Sequence, residues 1–376
     1  MPKTRVIQLD PADRRRVRQF LDLPFRIYRD IPQWVPPLAP DARRVLDRRR
    51  HPFYKHSQAA FFLALDDRDR PVGRLAALDN RRYNRFNRAA TAFFYLFECP
   101  DDPDVARALF DAAFSWARGR DLSRMIGPKG FLALDGSGLL IRGFQHRPAF
   151  GLPYNPPYYP ALIEAVGFEP ERESVSGYLD ARKPIPDKIH RLARRVQERR
   201  GLHVARFTTR RELRAVVPEL QMLYDAALGD APGGVPLTEH EIRAMANQLI
   251  WFADPRLVKI VRKGHKPVGF LLAYPDISAA VQRTRGRVLP FGWIDLLLEF
   301  RRTKWINVNG AGIVEEHRGA GGTALLFSEM YRSVIEGGFH HADLVQVGVE
   351  NDEMQRELRR FGVDFYKAHR LYHRAL

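Results

Sequence analysis

Two stretches of the chain repeat one rhythm of apolar and polar positions. An apolar run at residues 61–65 enters a charged turn holding Pro and Gly, and a second apolar run leaves it; the run at 258–261 does the same. Short apolar runs on either side of such a turn predict β-hairpins. A further apolar run follows, at 92–97 in the first copy. Residues 105–116 and 324–335 then space apolar side chains at i, i+3 and i+4, the signature of one buried helix face. A strand, a helix and a last strand complete each copy. The predicted class is α/β, with an α+β mixed sheet in each half.

The echo extends to residue identity. Arg70-Pro71-Val72-Gly73 is matched by Lys266-Pro267-Val268-Gly269, Asn155 is matched by Asn351 at the same offset, and Gly167 is matched by Gly362 one residue out of step. Matches in register argue for a duplication. The predicted boundary lies near residue 181, giving domains 1–180 and 181–376 packed pseudo-symmetrically. Residues 180–200, with Pro184, Pro186 and several arginines, read as a connector plus a surface helix.

At 376 residues the chain exceeds the usual size of a single core, in keeping with two domains. Cys99 is its one cysteine, so no intrachain disulfide forms and the reducing cytoplasm is the expected compartment. No signal-peptide-like run opens the sequence, and none approaches the ~20 apolar residues of a spanning helix. The net charge of +17 draws a protein toward nucleic acid, anionic lipid or a phosphorylated ligand. Its basic residues are scattered, without the interleaved aromatics of an RNA-binding motif or the Cys/His spacing of a zinc site. Neither nucleic acid nor a metal is expected.

The most specific signal is the strand ending in Ile313-Val314, the turn through Arg318-Gly319-Ala320-Gly321-Gly322-Thr323 and the helix start that follows. Glycines between a strand and a helix let backbone N–H groups converge on an anion. The turn resembles the Arg/Gln-x-x-Gly-x-Gly/Ala loop of the GNAT superfamily. Segments 23–38, 52–54, 155–159 and 366–372 are similar to bacterial tandem-GNAT proteins, some of which look like bacterial ceramide synthases, transferring a fatty acyl group from CoA to a sphingoid amine. The resemblance implies two tandem GNAT-like domains and acyl-CoA as co-substrate. It implies a pyrophosphate site at Arg318, Gly319, Gly321, Gly322 and Thr323, a thioester-polarising backbone N–H at Ile313 or Val314, and Asn351 as a further cofactor-binding position. Thr323 stands where the family has Gly or Ala. In the first copy the equivalent turn is Glu98-Cys99-Pro100-Asp101-Asp102-Pro103-Asp104. Its carboxylates oppose phosphate and its prolines lack N–H groups, so only the C-terminal domain is expected to bind acyl-CoA.

Acyl transfer to an amine needs a deprotonated amine and a polarised thioester carbonyl. Where the resemblance implies a proton-handling Glu and Tyr, this chain has Asn307 and Leu358, with Ile163 in the first copy, and none of them serves as an acid or base. Candidates elsewhere are Asp135, Tyr158 and Glu299, followed by Asp295, Tyr366 and His369; each is more readily read as a solvated carboxylate, a core tyrosine or a surface histidine. Residues 289–300 are apolar, contain Trp293 and are flanked by Arg283, Arg285, Arg287, Arg301, Arg302 and Lys304. Such a segment describes an interfacial membrane contact, a lid over a lipid pocket or a core helix. The leading expectation is an acyl-CoA-dependent N-acyltransferase acting on a small or lipid amine, cytoplasmic and, through 289–300, at the inner face of the membrane. Alternatives are an aminoacyl-tRNA-dependent Fem-like transferase and an inactive acyl-CoA-binding module.

Overall fold

The computed structural model describes residues 4–132, 135–228 and 235–376. They form two units: unit 1 comprises Met1–Ser174, Ser278–Leu296 and Lys367–Leu376, and unit 2 comprises Val175–Ile277 and Leu297–Tyr366.

The first half of the chain runs β1 (Arg5–Gln8), α1 (Arg14–Asp22), α2 (Pro24–Ile27), α3 (Ala39–Arg44), β2 (Gln58–Leu65), β3 (Pro71–Asp79), α4 (Arg81–Asn87), β4 (Thr91–Glu98), α5 (Pro103–Arg118), β5 (Arg124–Gly127), β6 (Leu139–Arg142), α6 (Tyr159–Ala165) and β7 (Glu169–Asp180). In unit 1 the predicted hairpin is β2–β3, with β1 antiparallel to β2, β4 antiparallel to β3 and β5 parallel to β4. α5 begins two residues before the predicted helix and ends two after it. Its apolar face, with Leu109, Phe110, Ala113 and Phe114, packs with Leu75, Phe94 and Phe168 in one core. A second core gathers Phe20, Phe53, Phe61 and Phe131. Truncating any of these phenylalanines to Ala costs about 3–5 kcal/mol.

The second half continues α7 (Asp187–Arg200), β8 (Leu202–Ala205), α8 (Arg210–Ala215), α9 (Val217–Leu228), α10 (Glu239–Phe252), β9 (Val258–Lys263), β10 (Lys266–Pro275), α11 (Ser278–Arg283), α12 (Gly292–Arg302), β11 (Trp305–Ile313), α13 (Gly322–Glu336), β12 (His341–Gly348), α14 (Asp352–Arg360) and β13 (Asp364–Ala375). In unit 2, β8, β9, β10 and β11 are successively antiparallel, and β12 joins β11 in parallel. The duplication is therefore visible element by element: hairpin, strand, helix, strand, helix, strand.

α7 is a surface helix after a connector, as expected, and it also packs inward. Ile189, Ala193 and Val196, spaced i, i+4 and i+7, are buried in the core that α13 shares with β10, β11 and β12. Its arginines occupy only the outer face. Among the described residues no helix is long and apolar enough to cross a membrane.

Candidate functional site

In unit 2 the parallel pairing of β11 with β12 runs from Trp305/His341 to Val308/Leu344 and then stops. At that point β11 carries a bulge: Val308 opposes Ala273 and Ala311 opposes Leu271, so three steps on β11 match two on β10, and Gly310 takes a φ of +116°. A bulge bends its strand and sharpens its twist. The two strands part beyond it, and their exits, Asn309 to Ile313 and Val345 to Gly348, are half-buried where the paired segments are buried.

Backbone alternation decides which donors face this gap. The N–H of Val314 donates to the carbonyl of Val268 on β10 at 3.0 Å. That bond makes Ile313/Gly269 a non-hydrogen-bonded pair, so the N–H and C=O of Ile313, and by alternation of Ala311, point away from β10. Of the two predicted polarising positions, Val314 is thus committed to the sheet and Ile313 faces the gap. Its carbonyl accepts from Arg318 Nε at 3.3 Å, which folds the exposed Arg318 back along the strand edge.

After a short turn at Glu315–His317 the chain reaches Gly319 and Gly321, both left-handed at φ +70° and +81°. Gly321 is the N-cap of α13; no side chain caps it and the first turn holds no carboxylate. The N–H groups of Gly322, Thr323 and Ala324 are therefore the orphan donors of a helix end with its positive dipole pole open. Gly321 has a second reason to be glycine: a Cβ there would lie 2.5 Å from Val196 Cγ2 on α7. Asn351 caps α14, accepting from Met354 N–H at 3.1 Å.

The corresponding turn in unit 1 is built differently. Glu98 faces inward rather than out: its Oε1 lies 3.4 Å from Arg74 Nη2 and its Oε2 accepts from the Tyr159 hydroxyl at 2.8 Å. Asp102 caps α5, accepting from Asp104 and Val105 N–H, and Pro103 removes another donor. The helix end is already satisfied by its own side chain.

The predicted catalytic residues each have a local partner. Asp135 Oδ2 accepts from Phe131 N–H at 2.7 Å and Leu132 N–H at 2.9 Å, clasping a turn; burial pushes its carboxyl up to about 6 against those two bonds. The Tyr158 hydroxyl donates to the Cys99 carbonyl at 2.9 Å, and burial raises its pKa. Glu299 is buried on α12, while Asp295 pairs with Arg283 at 2.9 Å. Leu358 and Ile163 are core residues, 1% and 0% exposed.

A set of residues that the sequence did not bring together lies where β10, β11 and β12 meet. Asn307 is the strand partner of both Tyr274 and Asp343, so the three share a sheet face. Asn307 Nδ2 donates to Asp276 Oδ1 at 3.1 Å, Asn309 Nδ2 to the Tyr274 hydroxyl at 3.1 Å, and the Tyr366 hydroxyl to Asp343 Oδ2 at 2.9 Å. Burial pushes Tyr274 up to about 12; burial and then the Asp343 carboxylate raise Tyr366. Of these, the sequence singled out Tyr366 as a candidate and Asn307 as the residue at the family's Glu position. Asp343 within the apolar run Ala342-Asp343-Leu344-Val345 was the available signal, since a lone carboxylate in a buried strand needs a reason. Beside this cluster, an apolar cavity of about 110 Å³ lies between α8, α9, α10 and β10, lined by Leu213, Leu220, Ile242, Leu272 and, at its edge, Tyr274.

No protein-family model matches the chain. It is 27% identical over 371 residues to the Escherichia coli K12 protein YghO, covering 96% of this chain and 93% of that one. It is likewise 27% identical over 370 residues to the bacterial ceramide synthase of Caulobacter vibrioides, covering 96% and 95%. Among solved structures, a tandem GNAT protein from the clavulanic acid biosynthesis pathway superposes with a TM-score of 0.58 at 14% identity, over 99% of this chain and 98% of that one. The two-copy architecture and the fold of each copy are those of tandem GNAT proteins.

Proposed function

We propose that this chain, a tandem GNAT protein, is an N-acyltransferase that takes its acyl group from acyl-CoA bound in unit 2 and passes it to a lipid amine of the sphingoid-base type. The observation that carries the reading is the uncapped, left-handed start of α13 beside the gap between β11 and β12. Orphan N–H groups of Gly322, Thr323 and Ala324, with Arg318 beside them, suit the CoA pyrophosphate. The gap suits the pantetheine arm, and the N–H groups of Ala311 and Ile313 suit the thioester oxygen, where charge develops as the amine attacks. The Asp102 cap on α5 supports a single cofactor site per chain.

Two features support a lipid substrate. The apolar cavity ending at Tyr274 suits part of an alkyl chain. Leu289, Phe291, Trp293, Ile294, Leu297 and Leu298 are between 37% and 76% exposed, against buried Leu296, so the 289–300 segment is no core helix. Exposed apolar residues next to exposed Arg285, Arg287, Arg301 and Arg302 suit the headgroup boundary of an anionic bilayer. The expected location is the inner face of the cytoplasmic membrane. A second reading, an acyl-CoA-binding module without turnover, is favoured by Asn307 and Leu358 at the family's proton-handling positions.

Thiol release from acyl-CoAs of graded length, with and without sphingoid and short-chain amines, separates the two. Release that needs both a long acyl chain and a lipophilic amine supports the transferase; tight CoA binding with no amine-dependent release supports the module.

A further inference from the structure

The polar cluster of unit 2 holds a buried amide oxygen that meets no donor. Asn307 is 1% exposed; its Nδ2 is used by Asp276, and its Oδ1 is buried without a hydrogen-bond partner. Such an atom costs about 1–3 kcal/mol unless an N–H or O–H reaches it. Asp343 and Asp276, 2% and 5% exposed, flank it, one on the neighbouring strand and one at the end of β10. Tyr274, Asn309 and Tyr366 are half-buried and form the outer edge of the cluster. The pairing of β11 and β12 ends one residue beyond Asn307 and Asp343, so the cluster is the floor of the gap in which the thioester is read to lie.

We propose that Tyr366 is the catalytic proton acceptor for the attacking amine, handing its own phenolic proton to Asp343, with Asn307 Oδ1 accepting an N–H of the incoming amine. This rests on the acyltransferase reading of the same gap. As the amine lone pair forms the C–N bond, the carbonyl π pair moves to oxygen and the nitrogen becomes cationic. The nitrogen then gives its proton to Tyr366 Oη while the Tyr366 proton passes to Asp343 Oδ2 over the existing hydrogen bond. Collapse of the oxyanion breaks the C–S bond, and the departing thiolate is protonated by water. The Asp343 proton returns to Tyr366 as the latter is deprotonated to solvent, restoring the starting state. The titratable groups facing Tyr366 are Asp343 from β12, Asp276 after β10 and Tyr178 from β7. The Asp343 and Asp276 carboxylates favour the cationic nitrogen that the attack creates, and burial together with Asp343 keeps Tyr366 a phenol, so it relays a proton instead of acting as a tyrosinate. Asn307, where the family has a carboxylate, orients the amine; the carboxylate that receives the proton stands one strand over, on β12.

The test uses full-length protein, palmitoyl-CoA and sphinganine, with thiol release followed from pH 6 to 10 for the native chain, Tyr366→Phe, Asp343→Asn and the double variant, and CoA affinity measured by calorimetry. Loss of a positioned acid–base group costs about 10²–10⁴-fold in rate. Tyr366→Phe should lower kcat by that order with CoA affinity unchanged within about twofold, and its rate should climb with pH until the bulk amine is deprotonated, where the native profile levels off earlier. The double variant should be no slower than either single one, because both residues serve one step. If Asp343→Asn fails to fold, Tyr366→Phe, which removes only a hydroxyl, decides alone. Native turnover with an unaltered rate and pH profile in Tyr366→Phe overturns the relay and leaves the transferase standing; no amine-dependent release from the native chain overturns both.

Discussion

Gly319 offers the cleanest perturbation of the proposed cofactor site. It sits at φ +70° with nothing within 4 Å of where a Cβ would stand, whereas a Cβ on Gly321 would strike Val196 Cγ2 at 2.5 Å. A change at Gly321 therefore disturbs the α7–α13 packing and the ligand together. At Gly319, Asp and Asn share the left-handed penalty, about 1 kcal/mol, and differ only in charge. A carboxylate about 6 Å from a phosphate at an effective dielectric near 20 is repelled by roughly 3 kcal/mol, and exposure and salt reduce this to about half. Two pyrophosphate charges then restore the total to about 3 kcal/mol, roughly 100-fold in affinity. Calorimetry with CoA should give one site per chain, near-native binding for Gly319→Asn, about 100-fold weaker binding for Gly319→Asp, and a deficit that shrinks as salt rises. Equal affinities for the two variants, or a stoichiometry of two, would refute the assignment of the cradle to the start of α13.

Phe291→Ser with Trp293→Ser should abolish flotation with anionic liposomes while the melting temperature moves by no more than a few degrees, since both side chains are exposed; a collapse in melting temperature would mean they support the core. Asn307→Glu, which restores the residue type the family resemblance implies, should destabilise the chain by about 3–5 kcal/mol by adding a third carboxylate beside Asp276 and Asp343; thermal unfolding checks this, and a native-like melting point would discredit the cluster. Asp135 has its folded pKa raised from 3.8 to about 6, so the native state binds more protons than the unfolded one between those values and stability should fall as pH rises across that window. Because Asp135 is only half-buried, the loss should be about 1–2 kcal/mol; Asp135→Asn should flatten that part of a chemical-denaturation profile, and an unchanged slope would contradict the assignment.

Periodicity located the hairpins and the helices now seen as α5 and α13, because their apolar faces are written in adjacent turns. The left-handed turn before α13 was legible because its glycines lie in one contiguous stretch. The inward packing of α7 was not read because nine of its exposed positions are polar or charged, which hid the Ile189, Ala193 and Val196 stripe. The Asn307 cluster was not legible as a cluster, although Asn307 and Tyr366 each drew notice singly. Its members come from positions 274, 276, 307, 309, 343 and 366, and only strand register brings them to one face. Asp135 was named as a candidate catalytic residue, yet it serves a local turn, and Gly130 is small to fit it: a Cβ there would lie 2.2 Å from Asp135 Cβ.

The membership of Lys367–Leu376 in unit 1 has a consequence for biosynthesis. Residues Tyr372 to Ala375 form the antiparallel partner of β5, and Ala368 to Arg370 that of β6. Tyr372, fully buried, completes the core around Phe94 and Phe168. A ribosome delivers these residues only after all of unit 2, at about 5–20 residues per second, so the usual order in which the N-terminal domain folds first is suspended here. The half-formed sheet of unit 1 waits with one edge of β5 open through the whole synthesis of unit 2, and a stop codon between positions 367 and 375 removes strand partners from the part of the protein encoded first.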